Sequence, residues 1–292
     1  MIKVRVPATS ANVGPGFDCL GLALNLYNTF SFEEIEGGLI IEGCESEFAN
    51  EDNLIYTSMK ECFKRLGYDI KGIKIGIEDN IPVSRGLGSS ASCIVGGIMG
   101  ANEMAGGVLS KEEMLKLATE KEGHPDNVVP ALLGGMTVAI ADKGVYYSRI
   151  NVRKGLKFHT IIPEFKLSTE TSRGALPKEI PYKDGVFNIG RISLLISALT
   201  NGEFDLLKVA CEDRLHQNYR GKLIEGFHVI KEKCEELGSL GVFLSGAGPT
   251  IMAVTEADNE KFHLEIQKVL DGFNNRWWVK SLDIDFEGAK IL

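Results

Sequence analysis

Residues 82–92 read PVSRGLGSSAS, that is Pro82, Val83, Ser84, Arg85, Gly86, Leu87, Gly88, Ser89, Ser90, Ala91 and Ser92. Just upstream, Ile73, Ile75 and Ile77 alternate with Lys74 and Gly76, the period of two expected of a strand with one buried face. Downstream, Ser89 to Gly107 is dense in Ala, Gly, Ser and Met, which suits a buried helix packed closely on a sheet. A glycine-rich loop between a strand and a helix can turn its N–H groups inward as an anion nest. Serine hydroxyls and the positive end of the helix dipole add to it. That combination holds phosphate oxygens, and a serine hydroxyl beside them can complete the oxygen shell of Mg²⁺.

Other readings of the loop compete. The Walker-A pattern is absent, since Gly221-Lys222 is followed by Leu223. Gly86-Leu87-Gly88-Ser89-Ser90-Ala91 fits the dinucleotide fingerprint in form, but the element after its helix reads as another helix, where that fold requires a strand ending in an acid. Taken alone, the loop also fits a plain turn that uses Gly for geometry and Ser for capping.

Working outward, Ile2 to Val6 reads as a short strand that Pro7 stops, followed by a loop, ATSANVGPGFD. From Asn53, the positions Ile55, Met59, Cys62, Phe63 and Leu66 recur at helical spacing and Gly67 caps the run. Ser110 and Glu113 form a capping box for a helix reaching about Glu122. GGMTVAIA and GVYYSRI read as a hairpin joined at Asp142, Lys143 and Gly144. The chain turns polar and basic near Asn151, where a boundary separates residues 1–150 from 151–292. The second half reads strand, three helices, two strands, helix, strand, with a Gly-Ala-Gly-Pro turn between the paired strands. Helices in runs indicate α+β layers rather than a doubly wound sheet.

Composition limits the function. The 292 residues carry a formal net charge of −8, with 44% hydrophobic against 25% charged residues, as an ordinary globular protein of about two domains does. The acidic balance gives no footprint for nucleic acid or anionic lipid, so neither is expected as a partner and small-molecule chemistry is favoured. Cys19, Cys44, Cys62, Cys93, Cys211 and Cys234 are scattered without zinc-ligand spacing. No run approaches the ~18 apolar residues of a membrane span, and the N-terminus lacks a signal-peptide core, so a cytoplasmic address is expected.

Three motifs occur in order: PATSANVGPGFD from Pro7 to Asp18, PVSRGLGSSAS, and SGAGPT from Ser245 to Thr250. Together they resemble the GHMP kinases. The resemblance implies an α+β fold of two domains, mixed sheets layered with helices: an N-terminal ATP-binding domain (1–150) with the glycine loop, and a ferredoxin-like C-terminal domain (151–292). It implies ATP and Mg²⁺ as cofactors, and it places Gly246, Ala247 and Gly248 beside the phosphates and Asn53 beside the base. The opening PATSANVGPGFDCLGLAL and the segment HPDNVVPALLGG, from His124 to Gly135, look like the homoserine kinase branch of that family. The openings P-G-[KR]-x-x-L-x-G-E-H and P-A-K-[IVL]-N-L of its mevalonate, galactose and erythritol kinases are absent.

For L-homoserine as substrate, the resemblance assigns the ammonium to Asp18, with Asn12 as a neutral partner, and the carboxylate to Arg173 and Arg220, near Thr169. Arginine's planar fork suits a carboxylate. Ser90 and Glu120 are the expected metal pair, with Glu122 the neighbouring alternative. Asn127 is expected to hold the acceptor hydroxyl, and Asp126 either faces that hydroxyl or caps its helix. A homodimer is the family expectation. Two alternatives stay open: a GHMP kinase with another acceptor, and a silent metabolite sensor of the same fold.

Overall fold

The computed structural model describes residues 1–292. Two sheets organise it. The first is built from β1 (Ile2–Ala11), β2 (Leu20–Glu34), β3 (Gly38–Glu42), β4 (Gly72–Glu78), β5 (Met136–Ala141) and β6 (Val145–Ile150). Its order is β1-β2-β4-β3, antiparallel except for the parallel β3–β4 pair, while β5 pairs β2 and carries β6. The helices of this half are α1 (Leu54–Leu66), α2 (Ser89–Met104), α3 (Lys111–Glu122) and α4 (Pro125–Leu133).

The second half begins with β7 (Leu156–Pro163), then α5 (Thr169–Gly174), α6 (Tyr182–Asn201), α7 (Leu207–Ala210), α8 (Gln217–Arg220) and α9 (Phe227–Glu236). It continues with β8 (Gly241–Leu244), β9 (Ile251–Glu256), α10 (Phe262–Leu270) and β10 (Trp277–Leu282). The sheet order β10-β7-β9-β8 sets the first and third strands side by side at the centre, which is the ferredoxin-like arrangement. A final short strand, β11 (Lys290–Ile291), leaves this half and pairs with β1 in the first sheet.

Local chemistry explains the ends of the elements. Asn53 caps α1 by accepting from the N–H of Ile55 and Tyr56, and Gly67 closes it in the left-handed region. Ser110 and Glu113 complete the capping box of α3. The sparse side chains of α2 have a packing reason: a Cβ on Gly96 would strike the ring of Phe30, and one on Gly100 the ring of Phe32. Those two rings are fully buried between helix and sheet, each stabilising the fold by roughly 2–3 kcal/mol.

Pro7 does not end the first strand. The ladder to β2 shifts register between Pro7 and Ala8 and runs on to Ala11, so a bulge accommodates the ring and the opening glycine motif begins inside the strand. The fifteen-residue β2 was not read from the sequence, although Leu20, Leu22, Leu24 and Leu26 and then Phe30 and Phe32 alternate with smaller or polar residues; Leu20 to Leu24 is buried at every position. A core shared by both halves joins Leu20, Leu22 and Leu24 to Leu195, Leu199, Phe243 and Met252, and so fixes the cleft between them.

Candidate active site

A cavity of about 700 Å³ lies where the two halves meet. The three glycine motifs converge there. The Ser245 hydroxyl sits 2.8 Å from the Ser10 hydroxyl and 2.6 Å from the Gly86 carbonyl. The Gly246 N–H donates to Ala11 O at 2.9 Å, and the Thr250 N–H to Arg85 O at 3.2 Å. Gly86 has φ +75°, and a Cβ there would collide with the Ser245 carbonyl, so this junction requires glycine.

At the start of α2, the first backbone bond runs from the Ser92 N–H to Gly88 O. The N–H groups of Ser89, Ser90 and Ala91 precede it and have no partner, as expected at a helix N-terminus that can accept an anion. Val83, Ser84, Arg85, Gly86, Gly88, Ser89 and Ser90 line the cavity, as do Gly246, Ala247 and Gly248. Other residues of the loop do not. Leu87 and Ala91 are core, Pro82 lies off the cavity wall, and the Ser92 hydroxyl is held by Asn28 and the Ser89 carbonyl. Arg85 also braces the loop from outside, where its guanidinium bonds the carbonyls of Val83, Pro163 and Glu164 and so stitches the loop to the second half.

Glu120 is not the partner of Ser90. Its side chain is 54% exposed on the outer face of α3, 4.0 Å from Lys116. The Ser90 hydroxyl instead donates to Glu122 Oε2 at 2.8 Å, across the mouth of the loop. Burial pushes the Glu122 carboxyl up, while the Ser90 bond draws it down. Two hard oxygen donors beside a phosphate nest, with no cation paired to the carboxylate, suit Mg²⁺.

At the far end, Asn53 lines the cavity, but its side chain is spent on capping α1 and on the Phe48 carbonyl. Phe48, Leu54 and Ile77 supply apolar wall beside it.

The other end of the cavity gathers Asn12, Asp18, Asp126, Asn127, Thr169, Arg173 and Arg220. Asn12 and Asp18 both have positive φ, and the Asn12 amide oxygen accepts from the Asp18 N–H at 2.8 Å, folding the opening motif over the site. Asp18 pairs with Arg173 at 2.7 Å. Arg220 is 1% exposed and donates to the Gly246 carbonyl at 3.0 Å; it makes no ion pair, and its Nε lacks a partner. Burial, then Arg173, lowers its pKa to about 10. A buried guanidinium so poorly satisfied favours an anionic guest. Thr169 opens α5, which rests on the third motif through the Ser172 hydroxyl and the Ala247 carbonyl, 2.6 Å apart.

Asp126 lies in the first turn of α4, 3% exposed, and burial followed by Asp18 and Glu122 pushes its carboxyl up to about 7. Asn127 Oδ1 accepts from the Thr9 hydroxyl at 2.8 Å. Sequence reasoning missed Thr9, and with it Phe17 and His216. The Phe17 ring stacks on His216 at 5.3 Å and lies 5.1 Å from the Arg220 guanidinium; the His216 Nε2 reaches the Gly14 carbonyl at 2.9 Å. Only the presence of Thr9 and Phe17 inside the opening motif marked them.

The chain matches the model of the GHMP kinases N terminal domain over residues 53–135 and that of the GHMP kinases C terminal over 195–272. It is 60% identical to a homoserine kinase of Clostridium botulinum, strain Kyoto, spanning 100% of this chain and 98% of that protein. It is 55% identical to the homoserine kinase of Clostridium beijerinckii, over 100% and 99%. The crystal structure of homoserine kinase from Cytophaga hutchinsonii superposes with a TM-score of 0.90 at 29% identity, covering 100% of this chain and 97% of that one. A mevalonate kinase at 19% identity, with a TM-score of 0.74, shares the fold. With motifs, sheet order and whole-length relatives in agreement, the chain belongs to the GHMP kinase family, in its homoserine kinase branch.

Proposed function

We propose that this enzyme transfers the γ-phosphoryl group of ATP to the side-chain hydroxyl of L-homoserine, giving O-phospho-L-homoserine. The observation that carries the reading is the charge layout at the Asp18 end of the cavity: the Asp18 carboxylate faces two guanidiniums, one of them buried without an ion pair, while the neighbouring Asp126 carboxyl is raised to about 7. A zwitterionic amino acid satisfies that layout, with its ammonium on Asp18 and its carboxylate on Arg173 and Arg220. A sugar or mevalonate does not.

Phosphoryl transfer asks the protein mainly for positioning and charge stabilisation. The unpaired N–H groups of Ser89, Ser90 and Ala91 receive phosphate oxygens. Ser90 and Glu122 are the residues that would hold Mg²⁺, which supplies neutralisation of charge on the phosphates. Asn127 orients the acceptor hydroxyl. Asp126 lines the same cavity with its carboxyl raised towards neutrality, and we assign it to the proton of that hydroxyl.

The first half, 1–150, carries the phosphate loop with Asn12, Asp18, Asp126 and Asn127, and the second, 151–292, brings Arg173, Arg220 and Gly246 to Gly248 to the same cavity. Six unpaired cysteines support a reducing compartment such as the cytoplasm. A step in threonine biosynthesis is the corresponding role. The exposed apolar row of Tyr182, Val186 and Ile189 on α6 is compatible with a homodimer. The test of function is ³¹P NMR of the protein with MgATP and L-homoserine: a phosphomonoester of homoserine supports the reading, and inorganic phosphate alone overturns it.

A further inference from the structure

Successive side chains of a strand face opposite ways, and β1 uses this at the site. Ser10 meets Ser245 of the third motif. Thr9, fully buried, faces the other way and touches both reaction partners' supports. Its N–H donates to the Leu87 carbonyl in the phosphate loop at 3.1 Å. Its hydroxyl donates to Asn127 Oδ1 at 2.8 Å. A Cβ on Gly88 would collide with that hydroxyl, so the glycine leaves room for Thr9 directly beneath the start of α2.

We infer that Thr9 is a positioning residue that couples the phosphoryl donor to the acceptor, resting on the functional reading above. The Thr9 hydroxyl gives its single proton to Asn127 Oδ1, and that bond decides which end of the amide is left over. The free end is the Nδ2 donor. Asn127 therefore donates to the oxygen of the acceptor hydroxyl and cannot accept its proton, which is directed towards another acceptor. Because the Thr9 N–H is bonded to the Leu87 carbonyl, the hydroxyl contact ties Asn127 through Thr9 to the phosphate loop. Without the hydroxyl the amide can turn, presenting an acceptor to the substrate in part of the population.

Thr9→Val keeps the shape and removes the donor, and Thr9→Ser keeps the donor. Steady-state kinetics on both, on Asn127→Ala and on the Thr9→Val/Asn127→Ala double variant separate coupling from folding. In Thr9→Val, kcat should fall on the order of tenfold with the KM for ATP within about twofold, since misplacement acts on the reacting geometry rather than on nucleotide binding. Thr9→Ser should recover most of kcat, and Thr9→Val should have no further effect once Asn127 is alanine. An unchanged kcat in Thr9→Val, or the same loss with and without the Asn127 side chain, overturns the inference. A wild-type protein that turns over no homoserine overturns the functional reading and the inference with it.

Discussion

The Ser90 hydroxyl lies 2.8 Å from Glu122 Oε2, joining the first turn of α2 to the last turn of α3 across the mouth of the phosphate loop. Ser90→Ala and Glu122→Gln should each lower kcat by at least tenfold and raise the Mg²⁺ concentration for half-maximal rate. Glu120→Gln, on the solvent face, should stay within about twofold of wild type. Titrating the rate with Mg²⁺ checks all three. Loss in Glu120→Gln with a normal Glu122→Gln would reverse the assignment.

Arg173 is half of the Asp18–Arg173 pair, and in the proposed clamp it exchanges that partner for the substrate carboxylate. Removing a charged hydrogen-bond donor of this kind costs about 1.5–3 kcal/mol of binding. Arg173→Ala should therefore raise the KM for homoserine by at least tenfold and leave the KM for ATP within about twofold. Arg173 is the better probe of the two, because truncating the buried Arg220 also strips the Gly246 carbonyl of its donor. Equal rises in both KM values would remove Arg173 from the clamp.

Asp126 predicts a pH dependence of stability. Its carboxyl is raised from the ordinary 3.8 to about 7, chiefly by burial. Between those values the folded protein keeps a proton that the unfolded chain has released, so stability falls as pH rises through the window and the cost is complete above about 7. Without ligands, Tm should drop from pH 5 to pH 8 more steeply in wild type than in Asp126→Asn. Parallel Tm profiles would show that Asp126 is ionised throughout.

Gly86 makes the junction of two motifs possible. Gly86→Ala forces a side chain into the Ser245 carbonyl, and 2.8 Å from Gly248 O, at a backbone φ of +75°. Urea unfolding should show a loss of about 2 kcal/mol or more. Gly174→Ala, whose Cβ would meet nothing within 4 Å, should be within about 0.5 kcal/mol of wild type.

Much of this architecture was legible because its signals are local. The strand carrying Ile73, Ile75 and Ile77, the cap at Asn53 and the capping box at Ser110 need only neighbouring residues to be read, and they flank the phosphate loop. β2 carried a local signal too, the alternation of Leu20, Leu22, Leu24 and Leu26 and of Phe30 and Phe32, and it was passed over because the opening motif was read as a loop. Glu120 and Glu122 stand about 200° apart around one helix, and nothing local says which of them meets Ser90. Thr9 with Asn127 and Phe17 with His216 were invisible for a related reason, since each pair is made by residues far apart in the chain.

The most direct test of the central claim is an ADP-release assay with MgATP across L-homoserine, L-threonine, mevalonate, galactose and no acceptor. The Asp18, Arg173 and Arg220 layout predicts a kcat/KM for L-homoserine at least a hundredfold above those for mevalonate and galactose. Comparable turnover of mevalonate or galactose, which lack the zwitterion, would contradict it.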